Sequence, residues 1–187
     1  MGHSQAEKAQ SRERILKEAA AQIREAGLES LSLGKLMKKA NLTHGGFYGH
    51  FDSRSDLLAA ALERALVEGE KAARAGADAH RPRTLAAMAR SYLSRPHRDA
   101  RGSGCAIAAL VCDAGRADEA QRASMAAAIE RYIEAVTQAL GTGDESEAMF
   151  AVSAMVGALA LSRAMTDPAR SDALLRATRE RLSAPSA

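Results

Sequence analysis

Residues 32–58 read SLGKLMKKANLTHGGFYGHFDSRSDLL, and three of the chain's six aromatic residues (Phe47, Tyr48 and Phe51) fall in this stretch. Leu33, Leu36, Met37 and Ala40 recur at i, i+3, i+4 and i+7, which is one face of a helix. Asn41 follows, a residue that tolerates the left-handed conformation of a sharp helix stop. Thr43 is placed to cap a second short helix, whose Phe47 and Phe51 are spaced i, i+4. Ser53 and Asp56 then match the Ser-x-x-acid capping pattern directly before the apolar run from Leu57 to Leu62.

Two short helices joined by a tight turn and braced by flanking helices read as a helix-turn-helix. In that arrangement the second helix, here 43–51, enters the DNA major groove and offers its N-terminal side chains to base edges. The N-terminal third of the chain resembles the DNA-binding domain of the TetR/AcrR family of bacterial transcriptional regulators. The resemblance rests on Arg12-Glu13-Arg14-Ile15-Leu16 with Ala19-Ala20, then Gly27 and 30–32. It continues through Ala40-Asn41-Leu42-Thr43, Gly45, Phe47-Tyr48, His50-Phe51, Ser53-Arg54 and Asp56-Leu57-Leu58. It implies DNA contacts from Ser32, Thr43, His44, Gly45, Tyr48, His50 and Arg54, the last to phosphate. Met37 stands where the family has a small Ala, and Asn41 where it has Gly. Gly46 and Gly49 replace side chains that members use near DNA. Each interior helical Gly costs about 0.8–1 kcal/mol relative to Ala.

The 187 residues accommodate a small N-terminal domain, 1–55, and a larger helical one, 56–187. Composition is 47% hydrophobic but only 3% aromatic, so the cores are built from Ala, Leu, Ile and Met. No run of period 2 bounded by turns marks a strand, and the expected fold is all-α. Net charge is +3, and residues 1–58 carry nine Lys/Arg against seven Asp/Glu. The case for DNA therefore rests on the motif, with charge only permitting it. The polar N-terminus lacks a signal-peptide core, and no uninterrupted apolar run reaches 18 residues, so the expectation is a soluble cytoplasmic protein with no membrane partner. Two cysteines fit a reducing compartment.

In chain order, the expectation is an arm over 1–9, a helix over 11–26 stopped by Gly27, and the helix-turn-helix. A long helix over 56–75 and a connection over 76–82 follow. Helices over 84–94, 105–115, 118–140, 144–165 and 168–182 make up the rest, with a polar loop over 95–104. Nine helices match the count of the resembled family.

No catalytic constellation emerges: there is no Gly-rich phosphate loop, His-Glu-x-x-His or Gly-x-Ser-x-Gly elbow. The chain is not expected to be an enzyme, and no cofactor is expected. His97, Asp99 and Cys105 match no standard zinc spacing, so no metal is expected. Cys105 falls at the start of a short helix, where the dipole raises a thiol's reactivity. Cys112, about 10.5 Å further along the axis, is too far for a disulfide within that helix. Both cysteines also fit plain core positions beside Ile107, Leu110 and Val111. The resemblance implies an effector pocket among the later helices, with Met88, Tyr92, Cys105, Met125, Tyr132, Phe150 and Met155 as candidate lining. It implies too a homodimer through the last two long helices. The resulting expectation is a homodimeric repressor released from a palindromic operator by a small apolar effector. The alternatives are a repressor that senses electrophiles or oxidants through Cys105, and a helical small-molecule-binding or interaction module that no longer binds DNA.

Overall fold

The computed structural model describes residues 5–74 and 83–184, and of His44 the backbone alone. The start of the expected arm and the connection over 76–82 lie outside the described residues. Within them every regular element is helical: α1 Gln5–Ala26, α2 Leu33–Lys39, α3 Arg54–Arg74, α4 Leu85–Tyr92 and α5 Arg95–Asp99 come first. They are followed by α6 Ala106–Ala114, α7 Glu119–Leu140, α8 Glu145–Ala164 and α9 Pro168–Ser183, with 3-10 turns at Leu28–Ser30 and His44–Gly49.

The helix starts follow from short polar side chains that accept from otherwise orphaned amides. Ser53 caps α3 through the Asp56 amide at 3.0 Å, and Thr84 caps α4 through that of Ala87 at 3.2 Å. Asp118, Asp144 and Asp167 cap α7, α8 and α9. Gly27 (φ 91°) and Gly141 (φ 72°) turn the chain out of α1 and α7 in conformations that suit glycine.

Three expectations are corrected. α1 begins at Gln5, because QAEKAQ contains strong helix formers and neither Gly nor Pro. The segment expected as a recognition α-helix is a six-residue 3-10 helix. With Gly45, Gly46 and Gly49 it has little α propensity, and the tighter turn serves a short piece. The polar loop at 95–104 contains α5, because Ser94 accepts from the His97 amide and Pro96 suits the first turn of a helix rather than ending one.

Two apolar clusters make the core. The first joins Ile15, Ala19, Ile23, Leu36, Met37, Phe47, Leu57 and Leu62 to Ile107, Leu110 and Ala114 of α6 and to Met125 of α7. The second gathers Leu93, Ile133, Val136, Ala148, Ala151, Met155 and Leu175. Each fully buried large side chain contributes about 1.5–3 kcal/mol relative to exposure. α6 packs against α1 and α3 on one side and α7 and α8 on the other, so it belongs to both halves of the molecule.

α8 is long and apolar enough to cross a membrane by length and composition alone. In this fold it packs against α6, α7 and α9. Its small residues Ala148, Ala151 and Ala158 are buried, which brings the neighbouring helices close.

Candidate functional site

Leu36 and Met37 anchor α2 inside, leaving Lys35, Lys38 and Lys39 exposed on its outer side. Ala40 ends the helix, Asn41 takes φ 57°, and Thr43 accepts from the Gly46 amide at 3.3 Å. Phe47 is buried at 1% exposure, stacks on Phe51 at 5.8 Å and touches Tyr48 edge-on at 5.1 Å. Tyr48, the next residue, points outward at 68% exposure. Thr43 and Gly45 are exposed, Ser32 and His50 half-buried. The backbone of His44 opens the 3-10 helix, with Thr43 as its cap. Thr43, Gly45 and Tyr48 are thus all exposed, on a segment that packs against α2, whose Lys35, Lys38 and Lys39 are exposed as well.

Arg54 is already engaged. Its guanidinium donates to the Glu29 carbonyl at 3.2 Å and lies 3.7 Å from the Glu29 carboxylate, which ties the start of α3 to the turn before α2. Lys35, Lys38 and Lys39 give α2 a basic outer face, legible in the sequence as K-x-x-K-K opposite Leu36 and Met37.

Two contacts join this surface to the later helices. Arg24 of α1 is buried and donates to the Gly102 carbonyl at 2.6 Å, the Ala65 carbonyl at 3.3 Å and the Glu68 carboxylate at 2.9 Å. Burial pushes the Glu68 carboxyl up, but hydrogen bonds from Arg64 and Arg24 outweigh it and hold the group below the usual range. Asp113 of α6 accepts from the Leu28 amide at 3.0 Å, just after the Gly27 turn. Neither contact has a sequence signature, since the partners are 78 and 85 residues apart.

The later helices bring Tyr92, His97, Cys105, Tyr132, Met155 and Arg163 together. His97 Nδ1 lies 2.7 Å from the Tyr92 carbonyl, an acceptor only, so this nitrogen carries the proton. Nε2 then accepts from the Cys105 amide at 3.0 Å. Burial lowers the His97 pKa, and the Arg163 charge acts in the same direction. Arg163 donates to the His97 and Arg98 carbonyls, each at 3.1 Å. Tyr92 packs on His97 and Tyr132 at 4.7 and 5.8 Å, and the Tyr132 hydroxyl donates to Met155 Sδ at 3.6 Å. Burial raises both phenol pKa values well above the ordinary one, and the nearby Cys105 thiol adds to this.

Of the other candidate lining residues, Met88 packs half-buried against the second cluster, while Met125 sits in the first. Phe150 is 56% exposed on the outer side of α8 rather than inside. Cys112 is exposed, not a core residue, and Cys105 is half-buried as the residue before α6. The surface carries a cleft of about 310 Å³ between 93–96 and α9, and another of about 680 Å³ beside Glu25 and 99–103. None of the seven candidate effector residues lines either. Among the described residues no group of three His, Cys, Asp or Glu side chains is placed to hold a metal ion. The ring nitrogens of His97 are committed elsewhere, and Asp99 is paired with Arg98 at 2.7 Å.

Residues 15–61 match the family model of bacterial regulatory proteins, tetR family. The chain carries the TetR-family helix-turn-helix. No curated protein matches it. A TetR-family transcriptional regulator from Cytophaga hutchinsonii superimposes with TM-score 0.79 at 20% identity, covering 97% of each chain. The reduced form of NemR from E. coli gives TM-score 0.73 at 20% identity, over 92% of this chain and 95% of that one. AibR, in complex with isovaleryl coenzyme A and operator DNA, gives 0.64 at 16%, over 94% and 100%. At these identities the likeness is one of fold, and it extends over both halves of the chain. The protein has a TetR-like architecture, with a TetR-family DNA-binding domain at its N-terminus.

Proposed function

We propose that this TetR-family protein is a homodimeric, ligand-responsive repressor acting in the cytoplasm, with 1–55 as its DNA-binding unit and 56–187 as its regulatory unit. The observation that carries the reading is the exposed Tyr48 and Thr43, together with Lys35, Lys38 and Lys39, on a helix-turn-helix held by buried Phe47. Tyr48, Thr43, Ser32, His44, Gly45 and His50 meet the major groove, with the lysines on phosphate. The exposed Met149, Phe150 and Leu161 of α8, with Met165 just after it, support pairing with a second copy. A C2 dimer sets two half-sites about 34–36 Å apart or a multiple of that, hence a near-palindromic operator.

Effector binding acts on the cluster around Tyr92, Tyr132 and Met155, and α6 carries the change to Leu28 through Asp113 and toward Arg24 through 100–105. That AibR holds both an acyl coenzyme A and operator DNA in this fold supports the reading. A second reading has a specific observation in its favour: Cys105 is half-buried beside Tyr92, Tyr132 and Arg163, and its amide bonds His97. Alkylation or oxidation of that thiol would disturb the same cluster.

Fluorescence anisotropy with labelled DNA from the regions flanking the protein's own gene, at two salt concentrations, tests the proposal. Binding should weaken with salt by a slope of about −0.9 per phosphate contacted. Absence of salt-dependent binding would sink it and favour the module that no longer binds DNA. Release by a thiol-reactive electrophile, retained by wild type but lost in Cys105→Ser, would establish the second reading.

A further inference from the structure

The cleft between the α4–α5 link and α9 has no part in either reading above. It has a volume of about 310 Å³ and is lined by Leu93, Ser94, Arg95, Pro96, Asp172, Leu175, Arg176 and Arg179. Leu93 and Leu175 are 1% and 3% exposed and form its apolar base. The carboxylates nearby are already neutralised. Asp172 takes Arg95 at 2.5 Å and Arg98 at 2.8 Å, and Asp99 takes Arg98 at 2.7 Å. The hydrogen bonds from Arg95 and Arg98 hold the Asp172 carboxyl below its usual range, so it stays ionised and paired.

Arg176 and Arg179 follow Asp172 by one and two turns along α9 and have no ion pair among the described residues. Of the three guanidinium groups that line the cleft, Arg95 is paired with Asp172, the one lining carboxylate, and Arg176 and Arg179 are not. Guanidinium groups bind carboxylate and phosphate oxygens with paired hydrogen bonds, whereas a neutral polar group offers no such match. The volume sits at the small end of ligand pockets, about 300–1,000 Å³.

We propose that this cleft binds a small amphipathic organic anion, its carboxylate or phosphate on Arg176 and Arg179 and its short apolar body on Leu93, Pro96 and Leu175. Leu93 and Leu175 belong to the same apolar cluster as Met155, against which Tyr92 and Tyr132 pack, but none of those three lines the cleft, and neither does the exposed face of α8. The cleft is next to α5, which carries His97. An anion that drew Arg95 from Asp172 would loosen the ion pair that straps α5 to α9.

Titration calorimetry of the purified full chain with hexanoate, hexyl phosphate and hexanol tests this directly. Failure to bind operator DNA would leave the result unaffected. Hexanoate or hexyl phosphate should bind, and the tighter of the two identifies the headgroup. Binding should weaken with salt, and hexanol should bind at least about tenfold more weakly. Arg176→Ala with Arg179→Ala should cost about tenfold or more, while replacing both by Lys should restore part of the affinity. Arg176 is exposed and Arg179 half-buried, and neither belongs to the apolar core, so these variants retain the fold. No heat with either anion, equal binding of hexanol, or undiminished binding by the double Ala variant would overturn the proposal.

Discussion

The Cys105 amide donates to His97 Nε2 over 3.0 Å, and this single bond ties the N-terminus of α6 to α5. Because Nδ1 is committed to the Tyr92 carbonyl, His97 can keep both bonds only while neutral. Protonation would turn Nε2 from acceptor to donor and set it against the Cys105 N–H.

Stability should accordingly fall in acid. Burial lowers the folded-state pKa of His97 from the ordinary 6.5. The unfolded chain therefore takes up the proton first as pH drops below that value. The stability His97 supports is complete above it and is lost progressively below. Melting midpoints at pH 7.5 and pH 5.5 should differ more for wild type than for His97→Ala. Equal differences would remove His97 as the cause.

Arg24 should be hard to replace. Arg24→Met keeps much of the side-chain bulk but leaves the Gly102 and Ala65 carbonyls without its donors and Glu68 with Arg64 alone. The expected loss is about 2–3 kcal/mol in urea unfolding. A loss within 0.5 kcal/mol, of the order of an ordinary surface change, would show that these bonds are replaced by water.

Adjacent aromatic residues should behave in opposite ways. Phe47→Ala removes a buried ring and should cost about 3–4 kcal/mol. Tyr48→Ala should change stability by less than about 0.5 kcal/mol while weakening operator binding at least tenfold. Unchanged anisotropy with Tyr48→Ala would move the DNA contact elsewhere.

Gly45 and Gly49 can be tested by addition. A Cβ at either position meets nothing within 4 Å, and neither residue has a positive φ. Gly45→Ala and Gly49→Ala should each raise stability by about 0.4–1 kcal/mol by restricting the unfolded chain. Lower melting temperatures would reveal a contact the described residues do not make.

Phe150→Glu with Leu161→Glu places two charges on the exposed face of α8. Light scattering should then report a monomer whose helical content matches wild type, if that face is where two copies meet. A dimer that persists would locate the interface on another face.

Much of the fold was legible in local chemistry. Ile15, Ala19 and Ile23 recur one helical turn apart and are all fully buried, as their spacing predicts. Thr43, Ser53, Thr84, Asp118 and Asp144 each accept an amide at the helix start they mark, because a cap involves only residues two or three apart. Asn41 takes the left-handed turn expected of it. Local chemistry misled where two rules competed. The polar segment 95–104 holds α5 with Pro96 in its first turn, and the glycines after Thr43 tighten the recognition segment to a 3-10 helix.

By itself the sequence determined the helical class, the helix-turn-helix and the starts of α3, α4, α7, α8 and α9, since these rest on interactions within a turn or two of chain. Only the tertiary structure decided that Phe150 and Cys112 are outside while Met155 is sealed within. It alone decided that Arg24 holds Gly102, that Asp113 holds Leu28, and that His97 reaches Cys105. Periodicity shows that a helix has an inward face, but it does not name the neighbour that face meets. That choice depends on how all the helices fill one volume together.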